Sequence, residues 1–410
     1  MTYDIVIIGG GAAGIATAAS ILKRNAQVSI AVVDPAQDHY YQPGWTLVGA
    51  GVFTPEQTRK AEADVMPKGV EWIRLPAITI DPERQAITLG DGDTIAYRVL
   101  IVAPGLRLAW EKIAGLTEAL GRNGVTSNYR YDLAPYTYQL VQELQRGRAL
   151  FSQPPMPIKC AGAPQKAMYL SCDIWRERGV LPAIDVEFHN AGAALFGVAT
   201  YVPALMEYVE KYRINLKLES NLVAVDADRR IATFERKQNG VSERIERGFD
   251  MLNVVPPQVS HDVVAKSSLA AANGFVEVDE ATLRHKRYDN VFALGDAAGT
   301  SNAKTAAAAR KQAPVVAVNA LAALDGKAPV ADYDGYGSCP LTVERGKIVL
   351  AEFGYGGKLL PSFPSWLLNG TRPTRAAWFL KERMLPPIYW QGMLKGHEWM
   401  AAPHEIGKAA

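Results

Sequence analysis

Cysteine is scarce in this chain: three in 410 residues, at positions 160, 172 and 339. That is too few for a disulfide framework, and the spacing fits no zinc pattern, so no metal site is expected. An excess of one charge is also missing. Lys and Arg number 44 against 42 Asp and Glu, a formal net charge of +2, which gives no reason to expect nucleic acid as a partner. No stretch reaches 18 apolar residues without a charge, so no spanning helix is expected. No basic, apolar leader precedes the first strand, so no signal peptide is expected. What is present, 48% hydrophobic and 21% charged residues, is a globular composition, long enough for two domains of ordinary size.

The N-terminal stretch YDIVIIGGGAAGIATAASIL, residues 3–22, has the order strand, glycine turn, helix. Gly9, Gly11 and Gly14 form G-x-G-x-x-G, with Gly10 and Ala12 inside the turn. A second strand, AQVSIAVVD, ends at Asp34. Glycines let the backbone approach a pyrophosphate, the helix N-terminus stabilises its charge, and the acid accepts hydrogen bonds from a ribose. This fingerprint suits FAD or NAD. Two further segments choose between them. NVFALGD places Asp296 after a short strand, and YRVLIVAPG (97–105) ends in a turn at Ala103, Pro104 and Gly105. The three segments, in this order, resemble the FAD-dependent pyridine nucleotide-disulfide oxidoreductases over roughly residues 1–330. The resemblance implies an α/β fold of two Rossmann-like domains, with FAD in the first and Asp296 on its ribityl chain. The expected domains are 1–112 with 281–330 for FAD, 113–280 for the second, and 331–410 as a C-terminal helical membrane-interface region.

In that superfamily the second domain carries its own phosphate turn. Here the turn reads Asn190-Ala191-Gly192-Ala193-Ala194-Leu195-Phe196-Gly197. Leu195 and Phe196 take the space a pyrophosphate needs, so a nicotinamide is not expected to be the electron donor. The disulfide-reductase spacings C-x2-C and C-x4-C are absent as well. Cys172, well inside a helix expected over 164–178, reads as a buried core thiol. Cys160 is different. It is expected to end the strand that starts at Gly147 and to stand just ahead of that helix, with Lys159 and Lys166 near, a setting that lowers a thiol pKa. Cys339 is expected on a loop rich in glycine and proline.

The motifs KCAGAPQK (159–166), YDGYGSCPL (333–341), YYQPGWTLVGAG (40–51) and KTAAAARKQ (304–312) resemble those of the sulfide:quinone oxidoreductases, in particular the group that includes the mitochondrial enzyme. The resemblance runs nearly end to end. It implies a sulfur-bridged redox pair, carried here by Cys160 and Cys339, with Cys160 nearer the flavin and Cys339 taking the outgoing sulfur. It implies hydrogen sulfide as donor, ubiquinone or another membrane quinone as electron acceptor, and a thiol such as glutathione or coenzyme A, sulfite or sulfide as sulfur acceptor. Gln42 and Ala77 match positions that touch FAD, and Lys304 one that places positive charge by the flavin.

From Phe363 the composition shifts. Trp366, Trp378, Trp390 and Trp399 are four of the eight tryptophans, interleaved with Lys358, Arg372, Arg375, Lys381, Arg383, Lys395 and Lys408. Two short helices divided by Pro386-Pro387 would lie in a membrane interface, making the protein monotopic, with a bacterial cytoplasmic membrane as the expected location. Phe353, Tyr355 and Tyr389 are candidate quinone aromatics. A homodimer is left open. The rival readings are a type-2 NADH:quinone oxidoreductase, a flavocytochrome sulfide dehydrogenase subunit, and a flavin-fold redox sensor without turnover.

Overall fold

A computed structural model describes residues 1–238 and 241–407; Lys408 lies outside the described residues. The first strand, Thr2–Ile8, runs parallel to Ile30–Val33 on one side and Thr94–Val102 on the other. Ile5, Val6 and Ile7 are fully buried. Both faces of a central parallel strand are covered, so its sequence is an unbroken apolar run rather than an alternation. Val70–Ile73 extends the sheet beyond Ile30–Val33. The hairpin Ala77–Asp81 and Ala86–Leu89 extends it beyond the first half of Thr94–Val102, and Val291–Ala293 pairs with the second half. Helices Ala12–Arg24 and Ala306–Leu324 supply Ile15, Ile21, Val316 and Ala320 to the core on one face.

A second parallel sheet has the spatial order Val125–Thr126, Met251–Asn253, Gly147–Gln153, Ile184–Asn190, Asn215–Lys217. A three-stranded antiparallel sheet, Ser220–Asp226, Ile231–Gln238 and Val241–Gly248, stands beside it. Helix Ala163–Glu177 packs Met168, Cys172 and Trp175 into the second core. The strand from Gly147 stops at Gln153 rather than at Cys160. Pro154, Pro155 and Pro157 have no N–H to give a ladder, so 154–162 is a loop.

Residues 331–410 have a small core of their own, Ile348, Leu350, Leu368 and Ala377 with Phe363, Trp378 and Leu380 packed against it, and they also staple the other two cores together. The hairpin Gly337–Glu344 and Lys347–Phe353 sends Cys339, Leu341, Val343, Val349 and Ala351 into the second core. Tyr389, Trp390, Met393 and Leu394 join the first. The chain end rests on the first helix. Arg24 donates from both terminal nitrogens to Glu398, at 2.6 and 2.7 Å, and Ser20 donates to the same carboxylate at 2.7 Å. Gly396 sits at φ +67°, and a Cβ there would lie 2.9 Å from the backbone of Ala19, so only glycine admits this approach. The helical run Arg375–Lys395 is not broken at Pro386-Pro387. Two π-helical turns, Leu380–Met384 and Ile388–Gly392, flank the prolines. The wider turns accommodate residues that cannot donate an ordinary helical hydrogen bond.

Candidate active site

A cavity of about 550 Å³ opens between these elements. Its lining takes in Gly10, Gly11, Ala12, Asp34, Gln42, Ala103, Asp296, Cys160, Lys166, Lys304 and Lys381. Gly9 at φ +102° and Gly14 allow a close turn: a Cβ on Gly14 would lie 1.9 Å from the carbonyl oxygen of Gly9, and one on Gly9 would lie 2.4 Å from that of Ala103. A Cβ on Gly11 would meet nothing within 4 Å, leaving a bare backbone at the N-terminus of helix Ala12–Arg24. Asp34 accepts from the Gly10 amide at 2.5 Å and the Ala36 amide at 2.7 Å, which fixes its carboxylate at the edge of the cradle. This donor set fits a dinucleotide.

The second turn offers no such place. Leu195 and Phe196 are buried in the second core, and Phe196 packs edge-on against Tyr201 and Phe353. Gln165 donates to the carbonyl of Leu195 at 2.5 Å, and the next helix, Val202–Lys211, begins well past the turn. The space for phosphates is filled with side chains.

Cys160 occupies the loop before helix Ala163–Glu177 at φ +50°, a left-handed backbone that costs a non-glycine residue on the order of 1 kcal/mol. Its surroundings hold it there. The Cys160 amide donates to the Lys304 carbonyl at 2.8 Å; its own carbonyl accepts from the Ala163 amide at 2.7 Å and the Tyr129 hydroxyl at 3.3 Å. Cys339 arrives from within a strand, opposite Ala351, not from a loop. The hairpin pairing continues through Pro340, which here lies on a two-stranded sheet. Gly162 lets the two segments close: a Cβ there would lie 2.2 Å from Leu341 Cδ2 and 3.8 Å from Cys339 Cβ.

The two thiols hydrogen-bond one another, and Lys166 Nζ donates to Cys160 Sγ at 3.0 Å. The hydrogen bond from Cys339, with the charges of Lys166 and Lys381, outweighs burial and holds the Cys160 thiol well below its ordinary range. The same pairing, added to burial, drives Cys339 well above it. With the Lys166 ammonium donating to Cys160 Sγ, negative charge on the pair is favoured on Cys160 over Cys339. Lys159, also expected to help, donates to Gln42 at 2.6 Å, and its charge interacts favourably with Cys160. Cys172 is fully buried in the second core, and burial raises its pKa far above the ordinary thiol value.

The sequence pattern sets Lys381 among the interfacial charges of the tail, but the structure turns it inward. It is 2% exposed, lines the cavity, and donates to the Pro43 carbonyl at 2.9 Å. Burial first, and then the charge of Lys166, lower its pKa to about 7. Nothing in the sequence around it marks this position. Lys304 is also buried. Its ammonium donates to the Ala298 carbonyl at 2.7 Å and stands 4.7 Å from the centre of the Phe275 ring. Burial lowers its pKa, opposed by Asp296, and burial raises that of Asp296, opposed by Lys304 and Lys159.

Four of the expected contacts are placed differently. Ala77 begins the outermost strand of the first sheet and is not among the residues lining the cavity. Phe353 and Tyr355 are not among them either: Phe353 faces Phe196, and the Tyr355 hydroxyl donates to the Glu280 carbonyl at 2.7 Å. Tyr389 does line the cavity, but its hydroxyl is bound to His39 at 2.6 Å, on the Asp34 side. Leu350, Phe363, Leu380, Leu385 and Ile388 supply an apolar wall instead. Outside it, Trp366, Leu367, Phe379 and Met384 are exposed, whereas Trp390 is buried beneath Lys60. Among the described residues no helix is long and apolar enough to cross a membrane.

The family described as pyridine nucleotide-disulphide oxidoreductase matches residues 3–161. The chain is 40% identical over 395 residues to the mitochondrial sulfide:quinone oxidoreductase of Dictyostelium discoideum, covering 96% of this chain and 86% of the relative. It is 36% identical over 396 residues to that of Mus musculus, covering 96% and 87%. Among solved structures, the sulfide:quinone oxidoreductase of Aquifex aeolicus superposes with a TM-score of 0.80 at 18% identity over 99% of both chains, a likeness of fold.

Proposed function

The chain belongs to the sulfide:quinone oxidoreductase family, and from that premise we propose that Cys160 and Cys339 are the pair at which sulfide is oxidised. It is an FAD-dependent enzyme that takes two electrons from sulfide and gives them to quinone. Bound FAD supplies the two-electron relay between the two. The observation that carries the cysteine assignment is the hydrogen-bonded cysteine pair at the cavity, with Lys166 Nζ 3.0 Å from Cys160 Sγ.

The electrostatics give the pair a direction. In its oxidised form the two sulfurs are linked. Exchange expels the sulfur with the lower pKa fastest, and that sulfur is Cys160. Hydrosulfide therefore attacks on the Cys339 side, leaves its sulfur there as a persulfide, and frees the Cys160 side as an anion. Lys166 and charged Lys381 stabilise that anion. Cys160 lines the cofactor cavity and Cys339 is 1% exposed behind it, so the electron pair leaves from the Cys160 side. A thiol, sulfite or sulfide nucleophile removes the outer sulfur from Cys339, leaving both cysteines reduced, and the link between them re-forms by loss of an electron pair that bound FAD would accept.

Quinone reaches the cavity past the apolar wall of Leu350, Phe363, Leu380, Leu385 and Ile388, at a membrane surface engaged by Trp366, Leu367, Phe379 and Met384. Such side chains on partly wet helices bind the interface without crossing it. The filled second turn supports sulfide over NADH as donor. Cys160→Ser and Cys339→Ser test the assignment: each variant keeps FAD and loses sulfide-dependent flavin bleaching. Wild-type bleaching in either one contradicts it.

A further inference from the structure

Beneath the nucleotide cradle lies a buried polar chain that the sulfur chemistry does not use. Glu62 is 2% exposed, His39 4% and Tyr389 5%. Glu62 Oε2 meets His39 Nδ1 at 3.1 Å, and His39 Nε2 meets the Tyr389 hydroxyl at 2.6 Å. Burial keeps the Tyr389 hydroxyl protonated, since its pKa is raised well above the ordinary value. It donates to Nε2, and the other ring nitrogen, Nδ1, faces Glu62 Oε2. That leaves Glu62 Oε1. It is buried, has no hydrogen-bond partner among the described residues, and belongs to a residue that lines the cavity. A Cβ placed on Gly10 would lie 2.9 Å from it and 3.0 Å from Asp34 Cβ, so Glu62 and Asp34 converge on the same turn of the cradle. Burial raises the Glu62 pKa, with His39 opposing. An orphaned carboxyl oxygen in so dry a place costs free energy unless something completes it.

We propose that Glu62 Oε1 is a binding group for the FAD nucleotide, and that the Glu62–His39–Tyr389 chain couples cofactor occupancy to docking of the C-terminal segment. The far end of the chain supplies the second half of this reading. Tyr389 lies on the helical run that also carries Lys381 and Leu380, Leu385 and Ile388 of the apolar cavity wall, and Met393, Trp399 and Met400 after it line the same cavity. Tyr389 is further fixed against Tyr41 at 4.9 Å between ring centres. A ligand that completes Glu62 fixes His39, and His39 fixes Tyr389. By linkage, a docked C-terminal segment in turn slows loss of the cofactor. The quinone-side wall is then assembled only on protein that holds its flavin. Glu62 and His39 are binding and positioning residues; neither touches the sulfur atoms.

This inference rests on FAD as the cofactor and is independent of sulfide as the substrate. The test uses purified holoprotein. FAD release is followed by the rise of free-flavin fluorescence on dilution, and hydrogen exchange is read over 380–400. Tyr389→Phe removes one hydroxyl and keeps the ring. Glu62→Met keeps the volume and removes the carboxyl. Each speeds FAD release roughly 5- to 50-fold, the loss of one buried hydrogen bond, and each raises exchange over 380–400. In the double variant the effects do not add, because Tyr389 acts through Glu62. Faster exchange with unchanged FAD release in Tyr389→Phe overturns the coupling and leaves a local staple, as does additivity in the double variant. A wild-type protein that retains no FAD overturns the cofactor reading beneath it. Should Glu62→Met fail to fold, Tyr389→Phe alone decides.

Discussion

Replacing Lys381 with Met makes the protein more stable and worse at its chemistry, and the stability gain depends on pH. The Lys381 ammonium is buried with a folded-state pKa of about 7, against an ordinary lysine near 10.4. Below pH 7 the side chain is charged in both the folded and the unfolded chain. Carrying that charge inside costs about 5 kcal/mol at 1.36 kcal/mol per pKa unit. Losing the hydrogen bond to the Pro43 carbonyl offsets about 1 kcal/mol. Lys381→Met is therefore expected to gain roughly 3–4 kcal/mol at pH 6. Between pH 7 and the unfolded value the unfolded chain holds a proton that the folded chain lacks, so wild-type stability rises with pH and the advantage of the variant shrinks. By pH 9 about 1 kcal/mol remains. Urea unfolding of both holoproteins at pH 6 and pH 9 reads the difference directly. In parallel, sulfide-dependent flavin reduction slows in the variant, because a charge facing both cysteines is gone. A stability gap equal at the two pH values, or a variant less stable at pH 6, refutes the placement of a buried, titrating lysine.

Iodoacetamide labelling of the reduced protein should modify Cys160 at pH values well below the ordinary thiol range and leave Cys172 untouched; equal labelling of the two would contradict the depressed Cys160 pKa. Lys166→Met removes the ammonium 3.0 Å from the sulfur. Labelling of Cys160 should then need higher pH, by a unit or more, with FAD still bound. Changing Trp366, Leu367 and Phe379 together to Ser should lower binding to lipid vesicles at least tenfold and slow quinone reduction while sparing reduction by sulfide. Unchanged vesicle binding would place the membrane face elsewhere.

The cradle was legible because its chemistry is local. Gly9, Gly11, Gly14 and Asp34 stand at fixed distances along one strand–turn–helix, and the chain needs only its own next strand to complete the site. The filled second turn was legible for the same reason, since Leu195 and Phe196 are too large for a phosphate loop. Cys160 is recognisable by its setting beside Lys159 and Lys166, but that setting holds only part of the cause of its lowered pKa. The lowering comes above all from the hydrogen bond of Cys339, and then from the charges of Lys166, one helical turn in, and of Lys381, far along the chain. Such tertiary convergence leaves no periodicity. Lys381 and Trp390 looked interfacial because basic and aromatic residues alternate there; packing on the first domain turned both inward. Glu62 and His39 carried no motif. Their significance lies in a hydrogen bond to a residue some 350 positions away.

The central claim is that sulfide, acting through the cysteine pair, is the electron donor to this flavoprotein. Anaerobic stopped-flow mixing of the yellow holoprotein with sulfide, and separately with NADH, tests it most directly. Rapid bleaching of the flavin by sulfide, a transient long-wavelength band as a cysteine sulfur anion faces the flavin, and no response to NADH are the expected results. Bleaching by NADH and none by sulfide would contradict the account, and would mean that the filled second turn still admits a nicotinamide while Cys160 and Cys339 stand idle.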